Sequence, residues 1–200
     1  DFLLISNVMY EQKERSNDMA KVAIFLATGF EEIEALAVVD LLRRVQVDID
    51  MVSITGEKRA IGSHNIIVET DKIINQLNFS EYDMLILPGG MPGTLNLEAN
   101  EILMTQVDAF YAQDKLLAAI CAAPSIFGHK GMLKGRKACC YPGFEKDLDG
   151  AEVSAEPVCM DGKIITSRGM GCAVSFGLKI VEVLLGEAVS KDLAEKIICE

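Results

Sequence analysis

The sequence predicts a three-layer α/β domain with a mostly parallel central sheet. Short apolar runs rich in Val, Ile or Leu recur along the chain, and such runs are typical of strands that are covered on both faces. Segments with helical periodicity lie between these runs. This alternation of strand and helix is the pattern of a parallel sheet with helices packed on its faces.

The predicted strands are short and apolar, and they cover residues 21–27, 48–54, 83–88, 115–120 and 162–167. Residues 57–72 alternate in shorter runs around Gly62 and Ser63. We predict a hairpin-like excursion there, because glycine and serine between alternating segments favour a turn.

The predicted helices cover residues 31–44, 100–113, 172–186 and 190–199. In the first helix, Ile33, Leu36 and Leu41 follow the spacing of a buried face. Gly186 is the expected C-cap of the third helix, and Ser190 is the expected N-cap of the last.

The composition excludes several classes of protein. The chain has 200 residues, half of them hydrophobic, which is enough to bury the core of one domain. Its formal net charge of -11 argues against nucleic acid as a partner, because phosphate binding needs clustered Lys and Arg. No apolar run approaches the roughly 18–20 residues of a membrane span, so no membrane association is expected.

The six cysteines form neither a C-x-x-C pair nor a metal-finger spacing; they are Cys121, Cys139, Cys140, Cys159, Cys172 and Cys199. We interpret them as reduced thiols of a cytoplasmic protein. The two histidines are too few for a His-rich metal centre. We therefore expect no metal centre.

The start of the sequence differs in character from the rest. Residues 1–18 combine a short apolar stretch with a polar one and lack the features of a signal peptide. Met19 stands directly before the first predicted strand. We expect residues 1–18 to be an extension, disordered or of vector origin, and residues 19–200 to form a single domain. A short docking segment is the alternative for the extension.

Three segments follow predicted strands and carry residues suited to chemistry: "ATGFEEIEA", "LPGGMPG" and "AICAAP". Ligands of open parallel sheets bind at the carboxyl ends of the strands. We therefore expect these three segments to meet at one edge of the sheet.

Cys121 stands at the end of a strand with Ala119 and Ala123 two positions away on either side. Small residues at these places suit a nucleophile elbow. A helix beginning after Cys121 would direct its N–H groups at the sulfur and lower the pKa of the thiol, and the Ala122 N–H would suit an oxyanion. A buried structural cysteine explains the pattern equally well.

The other two segments have an ordinary and a functional interpretation. Gly89 and Gly90 permit an ordinary turn, or they let the Gly90 and Met91 N–H groups face a ligand. Glu31 and Glu34 lie one turn apart and can share a face. The acids of this helix either cap it, or present a protonated carboxyl that donates to a thiolate and acts as general acid or base.

Together the motifs "FLATGFEEIEA", "LPGGMPGTLNL", "AAICAAP" and "DGKIITSRGMG" resemble the ThiJ/PfpI superfamily, in order and with typical spacing, from about Met19 to Gly186. The branch that they resemble holds the Parkinsonism-associated protein deglycase and its bacterial ThiJ-like relatives. The resemblance implies a flavodoxin-like fold and a homodimer. It also implies cofactor-independent glyoxalase activity, deglycation of methylglyoxal-modified groups, or redox-dependent chaperone behaviour.

The resemblance assigns roles to individual residues. Cys121 matches the reactive cysteine, and Glu34 matches the protonated glutamate that hydrogen-bonds it. Gly90 and Ala122 match the backbone donors of the oxyanion pocket. Arg168 matches an arginine on a loop near the site, where its role is structural or connected with the dimer.

One departure concerns the histidine that many relatives carry twenty positions after the cysteine. In this sequence Tyr141 stands there, so a Cys–His pair is missing at its usual place. Activation of the thiol then falls to Glu34 and the helix dipole, with Tyr141 a candidate hydrogen-bond donor near the pocket. His64 is either a solvated loop residue or approaches the site of a partner subunit.

Three functions follow. The first is a cysteine-dependent glyoxalase or deglycase that acts on small reactive carbonyls such as methylglyoxal. The second is a redox-sensing or chaperone protein whose cysteine is oxidised without turnover. The third, a cysteine peptidase or amidase, is weakened by Tyr141, because that chemistry relies on a Cys–His pair.

Overall fold

The computed structural model describes residues 20–199. The extension expected at residues 1–18 lies outside this range. Seven strands of the described part form one sheet in the order β10-β11-β7-β6-β1-β2-β5. The strands in chain order are β1 (Lys21–Leu26), β2 (Asp48–Ser53), β3 (Arg59–Ile61), β4 (Ile67–Glu69), β5 (Lys72–Ile73), β6 (Met84–Leu87), β7 (Leu116–Ile120), β8 (Lys137–Ala138), β9 (Glu152–Val153), β10 (Val158–Asp161) and β11 (Ile164–Ser167).

The helices cover both faces of this sheet. In chain order they are α1 (Glu32–Arg44), α2 (Gly93–Glu98), α3 (Glu101–Ala112), α4 (Pro124–His129), α5 (Ala173–Leu185) and α6 (Glu187–Lys196). All neighbours in the sheet pair in parallel except β10, which pairs antiparallel with β11. The predicted three-layer α/β fold is therefore confirmed. The predicted hairpin is also present, since β3 and β4 pair antiparallel.

Strand β1 shows why the sheet carries two separate cores. Val22, Ile24 and Leu26 point to the layer of α1, α5 and α6, and Ala23 and Phe25 point to the layer of α2, α3 and α4. All five are fully buried. Alternate side chains of a strand face opposite sides of its sheet, so a continuous apolar run fits a strand covered on both faces.

The prediction of which residues of α1 are buried is wrong at the first turn of the helix. Ile33 is 50% exposed, whereas Glu32 and Glu34 are buried. Further along the helix, Val38 and Leu42 face the core. The physical reason is that both acids have partners inside the protein, and a partnered carboxyl can be buried at a position where an apolar pattern would not place it.

The last helix begins earlier than predicted. Helix α6 starts at Glu187, directly after Gly186, so Ser190 lies within the helix instead of capping it. The Ser190 hydroxyl donates to the carbonyl of Leu178 on α5, at 2.8 Å. Gly186 does end α5, with a φ of 94°, as predicted.

The parallel strands bring their carboxyl ends to one edge of the sheet. Neighbouring strands β1, β6 and β7 end there, and the three predicted chemical segments follow them directly. Among residues 20–199, no helix is both long and apolar enough to cross a bilayer.

Candidate active site

Cys121 is held in a strained backbone conformation at the end of β7. Its φ is 66°, in the left-handed region that costs a non-glycine residue on the order of 1–3 kcal/mol. The Cys121 N–H donates to the carbonyl of Ser167 at 2.9 Å, and its own carbonyl accepts from the Tyr141 N–H at 2.8 Å. These two bonds, on either side of the residue, maintain the sharp turn between β7 and α4 that the sequence suggests.

Glu34 lies in the first turn of α1 with its carboxyl buried beside Cys121. Its Oε2 atom accepts from the Gly89 N–H at 2.9 Å, and only 1% of the residue is exposed. Burial raises the pKa of Glu34 to about 7; the hydrogen bond to Cys121 and the Gly89 N–H oppose this rise, and the charge of Glu31 adds to it. A substantial fraction of Glu34 is therefore protonated at neutral pH.

The thiol of Cys121 has the opposite pKa shift from the one predicted. Burial, followed by the charge and hydrogen bond of Glu34, raises its pKa to about 12, although the N–H groups of Gly90 and Ala122 lower it. The prediction of a lowered pKa considered the helix after Cys121 alone. Burial of the thiol, together with the Glu34 carboxyl, outweighs that effect.

The two shifts describe one coupled pair. Interacting groups release protons in steps that belong to the pair and not to either residue. Glu34 and Cys121 therefore hold a single proton between them from about pH 7 to about pH 12. With this proton on the carboxyl, the sulfur is a thiolate that accepts hydrogen bonds from Glu34 and from the two backbone N–H groups.

The glycines of "LPGG" let the three chain segments approach one another closely. A Cβ on Gly89 would lie 2.5 Å from the Cβ of Cys121 and 2.6 Å from Oε2 of Glu34. Gly90 has a φ of 93°, and a Cβ there would lie 2.6 Å from the carbonyl oxygen of Gly29. An ordinary turn does not require such contacts, so the glycine pair is part of the site.

A model of the DJ-1/PfpI family matches residues 20–183, which include all of these site residues. The chain belongs to the DJ-1/PfpI family. The predicted superfamily and its DJ-1 branch are thereby confirmed. Protein dj-1beta of Drosophila melanogaster is 30% identical over 183 residues, covering 90% of this chain and 98% of the fly protein.

Two further comparisons show how much of this chain and of its relatives the similarity covers. The solved structure of oxidized Toxoplasma gondii DJ-1 is similar with a TM-score of 0.86 and 34% identity, covering 90% of this chain and 98% of that one. Protein DJ-1 homolog B of Arabidopsis thaliana is 35% identical over 92% of this chain. The chain spans only 42% of that plant protein.

Tyr141 stands at the mouth of this DJ-1-type site, although its side chain is not among the hydrogen-bond partners of the pair. The residue is 49% exposed. Its ring packs on the backbone of Gly169: a Cβ built there would lie 3.2 Å from Cδ2 of the ring and 4.0 Å from Oε1 of Glu34. Met91, another predicted pocket residue, is also exposed, at 46%.

His64 is part of a second cluster, whose central residue the sequence analysis missed. His64 lies in the β3–β4 turn, and its Nδ1 is 2.8 Å from Oε2 of buried Glu32, whose Oε1 accepts from the His64 N–H at 2.7 Å. Burial alone would raise the pKa of Glu32, but the His64 ring and backbone outweigh it and lower the pKa to about 2. In the sequence, only the polar turn at Ser63 and His64 and the acidic residues at the start of α1 could have indicated this contact.

The same cluster is where the described residues could hold a cation. One ligand atom each from Glu31, Glu32 and His64 lie within 4.8 Å of one another. The carboxylate of Glu32 already accepts hydrogen bonds from His64 and Ser63. The polar groups of this cluster therefore bond one another, and these hydrogen bonds connect the hairpin to α1.

Arg168 and His129 have hydrogen-bond partners other than the cysteine. The guanidinium of Arg168 donates to the carbonyl of Ala155 at 3.1 Å, so it ties down a loop. His129 Nδ1 lies 2.7 Å from a carboxylate oxygen of Glu98. Neither histidine of the described chain is hydrogen-bonded to Cys121.

The close approach at Gly89 predicts the effect of one added methyl group. Gly89→Ala should lower the free energy of unfolding by about 1–3 kcal/mol, because its Cβ has no space between Cys121 and Glu34. Gly171→Ala is the matched control: a Cβ there meets no atom within 4 Å, and the change should stay within about 0.5 kcal/mol. Urea unfolding measures both, and equal stability of the two variants would contradict the packing described.

Proposed function

We propose that the protein is a cysteine-dependent glyoxalase or deglycase that acts on small reactive carbonyls such as methylglyoxal. The observation that carries this proposal is the strained Cys121 at a strand end, which packs at Gly89 beside the buried carboxyl of Glu34. This arrangement supplies a nucleophile, a proton donor and an oxyanion pocket within one site. The family membership agrees with a reactive cysteine but specifies no reaction.

The first step is addition of the sulfur to the aldehyde. The thiolate of Cys121 forms a C–S bond to the aldehyde carbon, and the electrons of the C=O bond move onto oxygen. The N–H groups of Gly90 and Ala122 hold this oxyanion. The Glu34 carboxyl then gives it a proton, and the product is a neutral hemithioacetal.

The second stage moves hydrogen from one carbon to the next. The Glu34 carboxylate takes the proton from the carbon that carries sulfur, and the electrons move onto the neighbouring carbonyl oxygen to give an enediolate. Glu34 returns its proton to the neighbouring carbon, and the hydroxyl proton of the first carbon passes to the oxygen of the second, which gives a thioester of lactate. Water hydrolyses the thioester to lactate and frees Cys121. One carbon is oxidised and the other reduced, so no external oxidant or cofactor is required.

Turnover of methylglyoxal tests this proposal. The wild type should convert methylglyoxal to lactate, and Cys121→Ser should lose at least about 100-fold in kcat/KM, because a neutral hydroxyl is a weak nucleophile. Cys172→Ser is the matched control, since Cys172 is also partly buried and should keep its activity. Lactate and residual methylglyoxal are both quantified. Equal turnover by the wild type and Cys121→Ser would refute the proposal.

A second candidate function is redox sensing, with Cys121 as the oxidised residue. The same N–H groups and Glu34 carboxyl that surround the sulfur could hydrogen-bond the oxygens of a sulfinate. Each of two peroxide molecules delivers one oxygen to the sulfur and leaves as water. One relative of known structure is an oxidized DJ-1.

Mild peroxide treatment followed by peptide mass mapping tests this second function. Cys121 should gain two oxygens, about 32 Da, before any of the other cysteines does. Cys139 and Cys140 are the internal controls, because both are buried, whereas Cys121 is only partly buried. Earlier oxidation of another cysteine would exclude Cys121 as the sensor.

The peptidase alternative has the least support, because His64 and His129 are each bonded to a glutamate elsewhere. Our proposal includes a homodimer in the cytoplasm. Exposed apolar side chains on neighbouring elements support the dimer: Ile33 on α1, Ile66 and Ile67 in the hairpin, and Val174 on α5. The cysteines of the described chain are free thiols, which supports a reducing compartment.

A further inference from the structure

We propose that Tyr141 determines the specificity of the Cys121 site and favours α-oxoaldehydes that carry a neutral aromatic substituent. The substituent stacks on the exposed face of the Tyr141 ring while the aldehyde reaches the sulfur. This inference rests on the proposed function and names the substrate class for it. Three features of the structure carry it.

The first feature is the rigid backbone of Tyr141. Its N–H donates to the carbonyl of Cys121 at 2.8 Å, and its own carbonyl accepts from the Phe144 N–H at 3.1 Å. Between them, Pro142 and Gly143, with a φ of 104° at the glycine, form a turn of type II. Tyr141 is therefore fixed to the reactive residue itself, and a fixed wall loses little entropy when a ligand binds.

The second feature is the position of the ring. One edge packs on Gly169, and its Cδ2 atom lies 3.2 Å from the place of a Cβ on that residue. Oε1 of Glu34 lies 4.0 Å from the same place. The ring and the Glu34 carboxyl thus both lie beside Gly169, yet Tyr141 is 49% exposed. The ring packs on Gly169 at one edge and is exposed elsewhere, so an aromatic group can stack on it.

The third feature is the character of the neighbouring surface. Met91 directly follows Gly90 in the chain and is 46% exposed, and Met170 directly follows Gly169 and is 54% exposed. Methionine sulfur contacts aromatic rings favourably. Glu31 adds negative charge nearby, as its effect on Glu34 shows. Apolar side chains beside negative charge suit a neutral aromatic substituent better than an anionic one.

The test compares phenylglyoxal with methylglyoxal as substrates. In Tyr141→Ala the ratio of the two kcat/KM values, phenylglyoxal over methylglyoxal, should fall about fivefold to tenfold, mainly through the KM of phenylglyoxal, because one aromatic pair is lost. Tyr141→Phe should keep the wild-type ratio, since it retains the ring. Tyr111→Ala is the matched control: Tyr111 is 40% exposed but lies on α3, and its ratio should not change.

A second measurement does not depend on turnover. Cys121 is alkylated with N-benzyliodoacetamide and with iodoacetamide, and the ratio of the two rates should fall in Tyr141→Ala and persist in Tyr141→Phe. Unchanged ratios in Tyr141→Ala in both measurements would overturn the inference. If neither aldehyde is consumed but the alkylation ratio falls, the proposed function fails while the role of Tyr141 in binding aromatic groups stands.

Discussion

The proton shared by Glu34 and Cys121 is the interaction on which the rest of the site depends. Burial opposes charge on both groups, so the pair retains one proton over a wide range of pH. The Gly89 N–H fixes the carboxyl, and the N–H groups of Gly90 and Ala122 lower the pKa of the thiol. A thiolate forms in this site when the proton of the pair lies on the glutamate next to it.

The fold supplies this arrangement at a cost in stability. Three neighbouring strand ends bring the elbow, the glycine pair and the start of α1 together, and the backbone strain falls on Cys121. The pKa of Glu34 rises from 4.5 to about 7 on folding, so the folded protein binds a proton that the unfolded chain releases in this interval. Stability from this group is therefore present below pH 4.5 and is lost as the pH rises to about 7, by about 3 kcal/mol in total.

The layers, the main strands and the cysteine elbow follow from the sequence because each has a local pattern. Apolar runs of about six residues, small residues around Cys121 and two glycines after a strand are visible without the fold. The burial of Glu32 and Glu34 in place of Ile33 cannot be predicted without the fold, because it depends on His64 and Gly89, which are distant in the chain. The predicted pKa of Cys121 was wrong for the same reason: the helix is local in the sequence, whereas the burial of the thiol and the Glu34 carboxyl, which outweigh it, arise only in the fold. The start of α6 was misplaced because Ser190 binds Leu178 of another helix.

The central claim is that the shared proton resides on Glu34 and leaves a thiolate on Cys121 in the neutral range. The ultraviolet absorbance of the thiolate, taken as the difference between the wild type and Cys121→Ser during a pH titration, tests it most directly. The account predicts that thiolate absorbance appears with a midpoint at about pH 7 and that Glu34→Gln displaces this midpoint. Absence of thiolate absorbance until the pH approaches 12 would place the proton on sulfur and contradict the account.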